Sequence, residues 1–162
     1  MSFEVAIERL LTHEGGLTLD SKDRGNWTSG VIGVGKLRGT KYGVSAMSYP
    51  TVDIARLTID QAKAIYRRDC WDAVKGDELP PAVAFQAFDV AVNHGTDQAV
   101  RWLQRAAGVA DDGVFGSVTL GAIKCACAAD LILKFNSERL LFYTNLSTFG
   151  TFGKGWVRRV AA

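Results

Sequence analysis

Glu14, Asp20 and Asp23 fall in one short stretch, "LLTHEGGLTLDSKDRG", between an apolar helix stripe and a glycine-rich segment. General acid catalysis needs a carboxyl group that keeps its proton, and glycoside cleavage often needs a second, ionised carboxylate facing it. Phe3, Ile7, Leu10 and Leu11 recur at helical spacing, and Glu14 continues their stripe. Lost solvation and the negative end of a helix dipole are both expected to keep such a carboxyl protonated. Asp23 stands in a polar, glycine-containing loop between Lys22 and Arg24, the setting of an ionised partner. In the plainer alternative Glu14 faces outward at a helix end and Asp23 decorates a loop. Periodicity alone does not choose between the two.

A second constellation is "FDVAVNHG". Asp89 lies inside an otherwise apolar helix, where burial without partners is costly. Asn93 is one turn later on the same side. The pair either lines a cleft or braces neighbouring loops, and bracing suits Asp89 better. His94 reads as structural. A third is "LQRAAGVADDGVFGSVTLGAI", a compact helix–turn–helix unit in which Asp112-Gly113 is also an ordinary turn pair. Of the aromatic side chains able to stack on sugars, Tyr42 is assigned to a cleft, with Trp27 as second candidate. Trp71, Trp102 and Trp156 read as core.

These residues need elements to hold them. A first helix over about 3–14 stops at Gly15 and Gly16. Residues 17–45 read as irregular chain with a short hairpin. In "TIDQAKAIYRRDCW", Thr58 and Gln61 form a capping box, with Ile59, Ala62, Ile65 and Tyr66 on one side. The Pro80-Pro81 break starts a helix that is apolar nearly all round and belongs mid-domain. "TDQAVRWLQRAAG" follows, with Thr96 as cap and Gly108 as stop. A turn leads into "VTLGAIKCACAA", and a long helix over about 130–146 precedes an aromatic- and glycine-rich tail, "FGTFGKGWVRR". The fold class is mainly α.

The 162 residues, 48% hydrophobic and 22% charged, suit a globular chain with a real core. The net charge of +2 is spread along the sequence. With no basic stripe before Arg158-Arg159, which read as a solvated end, nucleic acid is not an expected partner. No run reaches the roughly 18 apolar residues of a membrane span. "MSFEVAIERLL" lacks the basic start and apolar core of a signal peptide, so synthesis in the cytoplasm is expected. Cys70, Cys125 and Cys127 suggest buried thiols, not a disulfide framework, and with two histidines no metal or other cofactor is implied. "GVGKLRGT" lacks phosphate-loop spacing.

"EGG" after an amphipathic first helix, a D-x-G loop and "GTKYGVS" together resemble glycoside hydrolase family 108, the peptidoglycan-degrading phage endolysins and bacterial muramidases of the lysozyme-like superfamily. "LTIDQAKAIYRRDCW", "LPPAVAFQAFDVAVNHGTDQAVRWLQRAAG" and "DGVFGSVT" extend the resemblance over nearly the whole chain. It implies a lysozyme-like helical domain with a short hairpin, a catalytic region over 1–95, and a helical peptidoglycan-binding segment over 96–162 packed on it as one compact unit. It implies Glu14 as catalytic acid and, by a looser carry-over, Asp23 and Thr40 beside it. "DRGNWTSGVIGVGKLRGTKYGV" carries an insertion where members often read D-P-G-G-x-T-N-Y-G-I, which leaves Asp20 as an alternative to Asp23. Tyr42 and Asn93 are expected to hold the glycan. The expected activity is hydrolysis of the β-1,4 bond between N-acetylmuramic acid and N-acetylglucosamine. A lytic transglycosylase or a non-catalytic wall-binding module is the alternative. A monomer released through a holin-type pore, without stable membrane association, completes the expectation.

Overall fold

The computed structural model describes residues 1–11 and 16–161. Glu14 and the helix stop at Gly15 lie outside the described residues. The chain divides into two units, Phe3–Arg68 and Asp69–Ala162, the latter including Met1–Ser2.

The first unit opens with α1 (Phe3–Leu11), whose Phe3, Ala6, Ile7 and Leu10 are buried at the spacing of one helix face. An irregular glycine-rich stretch leads to a two-stranded antiparallel hairpin, β1 (Thr40–Lys41) and β2 (Val44–Ser45), with Thr40 opposite Ser45 and Lys41 opposite Val44. Its turn residues, Tyr42 and Gly43, have φ values of 51° and 75°. Two positive φ angles in a two-residue turn match the twist of the flanking strands. Helix α2 (Ile59–Tyr66) starts at the expected capping box: Gln61 N–H donates to Thr58 Oγ1 at 3.2 Å, and Thr58 N–H to Gln61 Oε1 at 2.9 Å. Such a cap typically stabilises by about 1 kcal/mol. Ala62, Ile65 and Tyr66 are buried. Ile59, expected beside them, is instead exposed, because the first helical residue overhangs the end of the buried face.

The second unit is all helical. Pro81, which has no N–H to leave unpaired, opens α3 (Pro81–His94), and Val83, Ala84, Ala87, Phe88, Asp89, Val90 and Ala91 are buried. One residue, Gly95 at φ 87°, ends α3 and begins α4 (Thr96–Ala107). Thr96 is therefore the first residue of α4 and not its cap: the sharp reversal needs a backbone angle that glycine tolerates and threonine does not. Gly108 stops α4 as expected. Helices α5 (Ser117–Cys125) and α6 (Ala128–Thr144) follow, and α6 packs on both α3 and α4.

The aromatic- and glycine-rich tail is a helix, α7 (Phe149–Ala161), packed on α6. Glycine lowers helix propensity by about 1 kcal/mol per residue relative to alanine, which hides this element from a propensity argument. Its three rings offset that loss. Phe149 and Phe152 pack on Trp156 with centroids 6.5 and 6.0 Å apart, and Trp156 packs on Tyr143 of α6 at 5.2 Å. Gly153 is buried because the Phe149 ring occupies the space a Cβ would need.

Only Cys70 of the three thiols is buried, and burial, reinforced by Asp69, pushes its pKa up to about 11. Cys125 and Cys127 are exposed, contrary to expectation, since they end α5 and cap α6 at the turn between the two helices. No described helix is long and apolar enough to cross a membrane.

Candidate active site

The loop between α1 and the hairpin brings Asp20, Asp23 and Thr40 together around Asn26, a residue that no motif marks. This side chain is fully buried. Its Nδ2 donates to the Asp20 carbonyl oxygen at 2.9 Å, and its Oδ1 accepts from the Thr40 hydroxyl at 2.7 Å. Its backbone carbonyl accepts from Arg38 and Gly39, and its N–H donates to the Asp23 carbonyl oxygen. Asn26 thus ties the aspartate loop to the start of the hairpin, and Thr18 closes the other side by pairing with Thr40 through two backbone bonds, at 2.9 and 3.0 Å.

The polarity of this cluster follows from one carbonyl. A backbone carbonyl only accepts, so the amide end facing Asp20 is the NH2 group and the end facing Thr40 is the oxygen. The Thr40 proton is consumed by that oxygen, and Thr40 Oγ1 presents only lone pairs to any further partner. Asp23 is exposed; its Oδ1 accepts from Gly25 N–H at 2.8 Å and caps a single helical turn at Arg24–Asn26. Asp20 is also exposed and accepts from Lys22 N–H at 2.9 Å. Each carboxylate is therefore oriented by a backbone amide while keeping free lone pairs.

Tyr42 occupies the first position of the hairpin turn, at a φ that costs a non-glycine side chain about 1–3 kcal/mol. Its carbonyl oxygen accepts from the Tyr66 hydroxyl at 3.0 Å, and Lys41 Nζ lies 5.3 Å from its ring centroid. Trp27, half-buried, donates from its indole to the Ser21 carbonyl oxygen.

Asp23, Thr40 and Tyr42 thus share the first unit, whereas Asn93 belongs to the second. Asn93 is exposed and donates to the Asp89 carbonyl oxygen at 2.6 Å. Asp89 is a brace. Arg139 Nη2 donates to its Oδ2 at 2.5 Å, and Arg159 donates to Oδ1 through Nε at 2.9 Å and Nη2 at 2.7 Å. Arg159, expected at a solvated end, is instead the pin that holds α7 to α3. Arg139 carries its own signal in the sequence: Leu131, Phe135, Arg139 and Tyr143 form one buried stripe of α6, and a cation there requires a buried anion.

From Arg139 a chain of hydrogen bonds continues. Its Nε donates to the Tyr143 hydroxyl at 2.8 Å, and that hydroxyl lies 2.9 Å from His94 Nε2. Tyr143 is thus the link between the Arg139 guanidinium and the His94 ring, and the direction of its bond to His94 follows the imidazole tautomer. Burial, followed by the nearby Arg139 charge, holds the His94 pKa below its usual value. His94 also packs on Trp102, Phe142 and Tyr143, with centroids 5.4–5.6 Å away. It is structural.

In the turn between α4 and α5, Asp112 accepts from Val114 N–H and Gln104, while Asp111 accepts from Arg105. These bonds hold both carboxyls below the usual aspartate range. A concavity of about 390 Å³ in the first unit is lined by Val52, Asp53, Arg56, Leu57, Gln61, Ala64 and Ile65. Among the described residues its lining includes none of the candidates, and the charged groups there, Asp53 and Arg56, stand 3.9 Å apart as an exposed pair. Its described lining lacks the two separated carboxyls that acid–base cleavage needs. Among the described residues no cluster of three or more His, Cys, Asp or Glu side chains is placed to hold a metal ion.

A mainly helical chain with a short hairpin, and with a carboxylate loop tied to a threonine at that hairpin, is the lysozyme-like architecture. The family described as Glycosyl hydrolase 108 matches residues 7–95, more than half of the chain, and the family described as Predicted Peptidoglycan domain matches residues 98–161. The solved structure of Brucella abortus SagA is similar at 33% identity with a TM-score of 0.81, covering 98% of this chain and 89% of that one. No curated protein matches the sequence. The chain belongs to glycosyl hydrolase family 108: it is a glycosidase of the peptidoglycan-hydrolase type with a peptidoglycan-binding segment.

Proposed function

We propose that this protein hydrolyses the β-1,4 bond between N-acetylmuramic acid and N-acetylglucosamine in the manner of a phage endolysin. The observation that carries the reading is the Asn26–Thr40 bond, which leaves a hydroxyl able only to accept, in the same loop as an exposed, oriented aspartate. In this mechanism the Glu14 carboxyl donates its proton to the leaving glycosidic oxygen as positive charge grows on the muramic sugar. A water attacks the anomeric carbon, held by a hydrogen bond to Thr40 Oγ1, and Asp23 accepts its proton or stabilises the cationic sugar. Tyr42 and Asn93 hold the glycan. The peptidoglycan-binding segment keeps the enzyme on its insoluble substrate. Release of the enzyme to the wall through a holin-type pore belongs to the same proposal.

The test is loss of turbidity of purified peptidoglycan, with the mass of the products, for the wild type beside Glu14→Gln. A general acid typically contributes about 10²–10⁴ in rate. The variant should therefore lose nearly all activity while its melting temperature stays the same. Retention of more than a tenth of the rate would defeat the assignment of Glu14. A 1,6-anhydro product would replace hydrolysis with transglycosylation, and sacculus binding by the wild type without any cleavage would leave a wall-binding module only.

A further inference from the structure

The segment inserted between Asp23 and Thr40 is an ordered loop that shows its apolar side chains to solvent. Val31, Ile32 and Val34 are 56%, 56% and 53% exposed, and Met47, packed on Gly30 at the foot of the loop, is 36% exposed. The tip is cross-braced. Ser29 Oγ donates to the Val34 carbonyl oxygen at 2.7 Å and accepts from Val31 N–H at 3.1 Å, while Val34 N–H donates to the Val31 carbonyl oxygen at 3.1 Å. At the base, Thr28 and Lys36 are joined by two hydrogen bonds of 3.0 Å. The three aliphatic groups are held outward by a fixed backbone.

Cations outnumber carboxylates along this loop and its flanks, with Lys22, Arg24, Lys36, Arg38 and Lys41 against Asp20, Asp23 and Asp53. From residue 24 to residue 52 the sequence holds Arg24, Lys36, Arg38 and Lys41 and no Asp or Glu. Arg24 reaches Met47 Sδ at 3.9 Å, Arg38 donates to the Pro50 carbonyl oxygen and Lys41 to the Ala55 carbonyl oxygen. Among the described residues none of these four pairs with a carboxylate. The nearby Asp20 and Asp23 are turned onto backbone amides.

We propose that loop 28–36 is an interfacial docking element that places Val31, Ile32 and Val34 at the headgroup–acyl boundary of an anionic lipid bilayer, with Lys36 and Arg24 over the lipid phosphates. An apolar tip with Lys36 at its base and Arg24 against Met47 at its foot matches an anionic membrane surface, which offers both an apolar phase and negative charge. Wall glycans offer no apolar phase, and sugar faces stack on aromatic rings, which the tip lacks. A second copy docked through the same patch would bring its cations against their own image. With so few apolar groups the contact is reversible.

The experiment is co-sedimentation of the full chain with sucrose-loaded vesicles of phosphatidylglycerol and phosphatidylcholine, beside vesicles of phosphatidylcholine alone. The wild type is expected to pellet with the anionic vesicles, less at high salt, and not with the neutral ones. Val31→Ser/Ile32→Ser/Val34→Ser should weaken this binding by about tenfold or more, and Lys36→Glu by about tenfold. Both variants should keep their melting temperature and their hydrolysis of purified peptidoglycan. Failure of the wild type to pellet with anionic vesicles, or equal pelleting by the triple serine variant, would overturn the proposal. So would a concentration-dependent dimer that the triple variant abolishes. Lipid binding and wall hydrolysis are read separately, so either proposal can fail alone.

Discussion

The Thr40 hydroxyl donates to Asn26 Oδ1 across 2.7 Å, and the same amide donates to the Asp20 carbonyl oxygen across 2.9 Å. One buried side chain thereby sets the direction of the hydroxyl that the mechanism requires. Thr40→Val is expected to lower turnover on purified wall about tenfold to a hundredfold, and Asn26→Ala by a similar factor. If Asn26 acts through Thr40, the double variant is no slower than Thr40→Val alone. Multiplying losses in that cycle would show that the two residues act independently.

Tyr42 holds a backbone angle that suits Gly or Asn, so its ring is retained against a conformational cost. Tyr42→Asn is expected to leave the melting temperature equal or slightly higher while weakening binding to insoluble peptidoglycan. A variant that binds the wall as well as the wild type would remove Tyr42 from the glycan site.

Asp89 lies between Arg139, which is fully buried, and Arg159. Removing the shared anion leaves a buried cation uncompensated, at a cost of about 3–5 kcal/mol. Asp89→Ala should therefore melt far below the wild type in thermal unfolding. Arg159→Ala should cost much less, since that side chain is 40% exposed and its bond is screened by water.

His94 titrates lower in the folded protein than in the unfolded chain, so the unfolded state binds more protons as the solution is acidified. The stability tied to this residue is complete above about pH 6.5, the unfolded value. It is lost as pH falls through the folded value. Asp111 and Asp112 are likewise depressed, but their window opens only below about pH 4. Melting temperature measured from pH 7.5 to 5 should fall, and His94→Gln, whose amide can hydrogen-bond Tyr143 in either direction, should flatten that fall.

The thiols should separate by reactivity. Cys125 and Cys127 are exposed, whereas Cys70 is buried with its pKa at about 11. At pH 8 a thiol reagent is expected to label the two exposed cysteines quickly and Cys70 only on unfolding. Rapid labelling of all three would show that the Cys70 environment opens easily.

Local signals were enough wherever one segment settles its own conformation. The stripe of α1, the Thr58–Gln61 box, the proline that starts α3 and the glycine that ends α4 are nearest-neighbour physics, and each stands where its residues imply. Tertiary structure decided what depends on distant partners. Helix α7 exists because Phe149 and Trp156 find each other and Trp156 finds Tyr143, which outweighs its glycines. Arg159 reads as a terminal cation until Asp89, 70 positions away in sequence, is brought beside it. Asn26 looks like a turn residue until the hairpin places Thr40 on its oxygen. Spacing along the chain names residue types and faces; the partner that fixes a hydroxyl's direction or a buried charge's balance comes from elsewhere in the fold, and only folding supplies it.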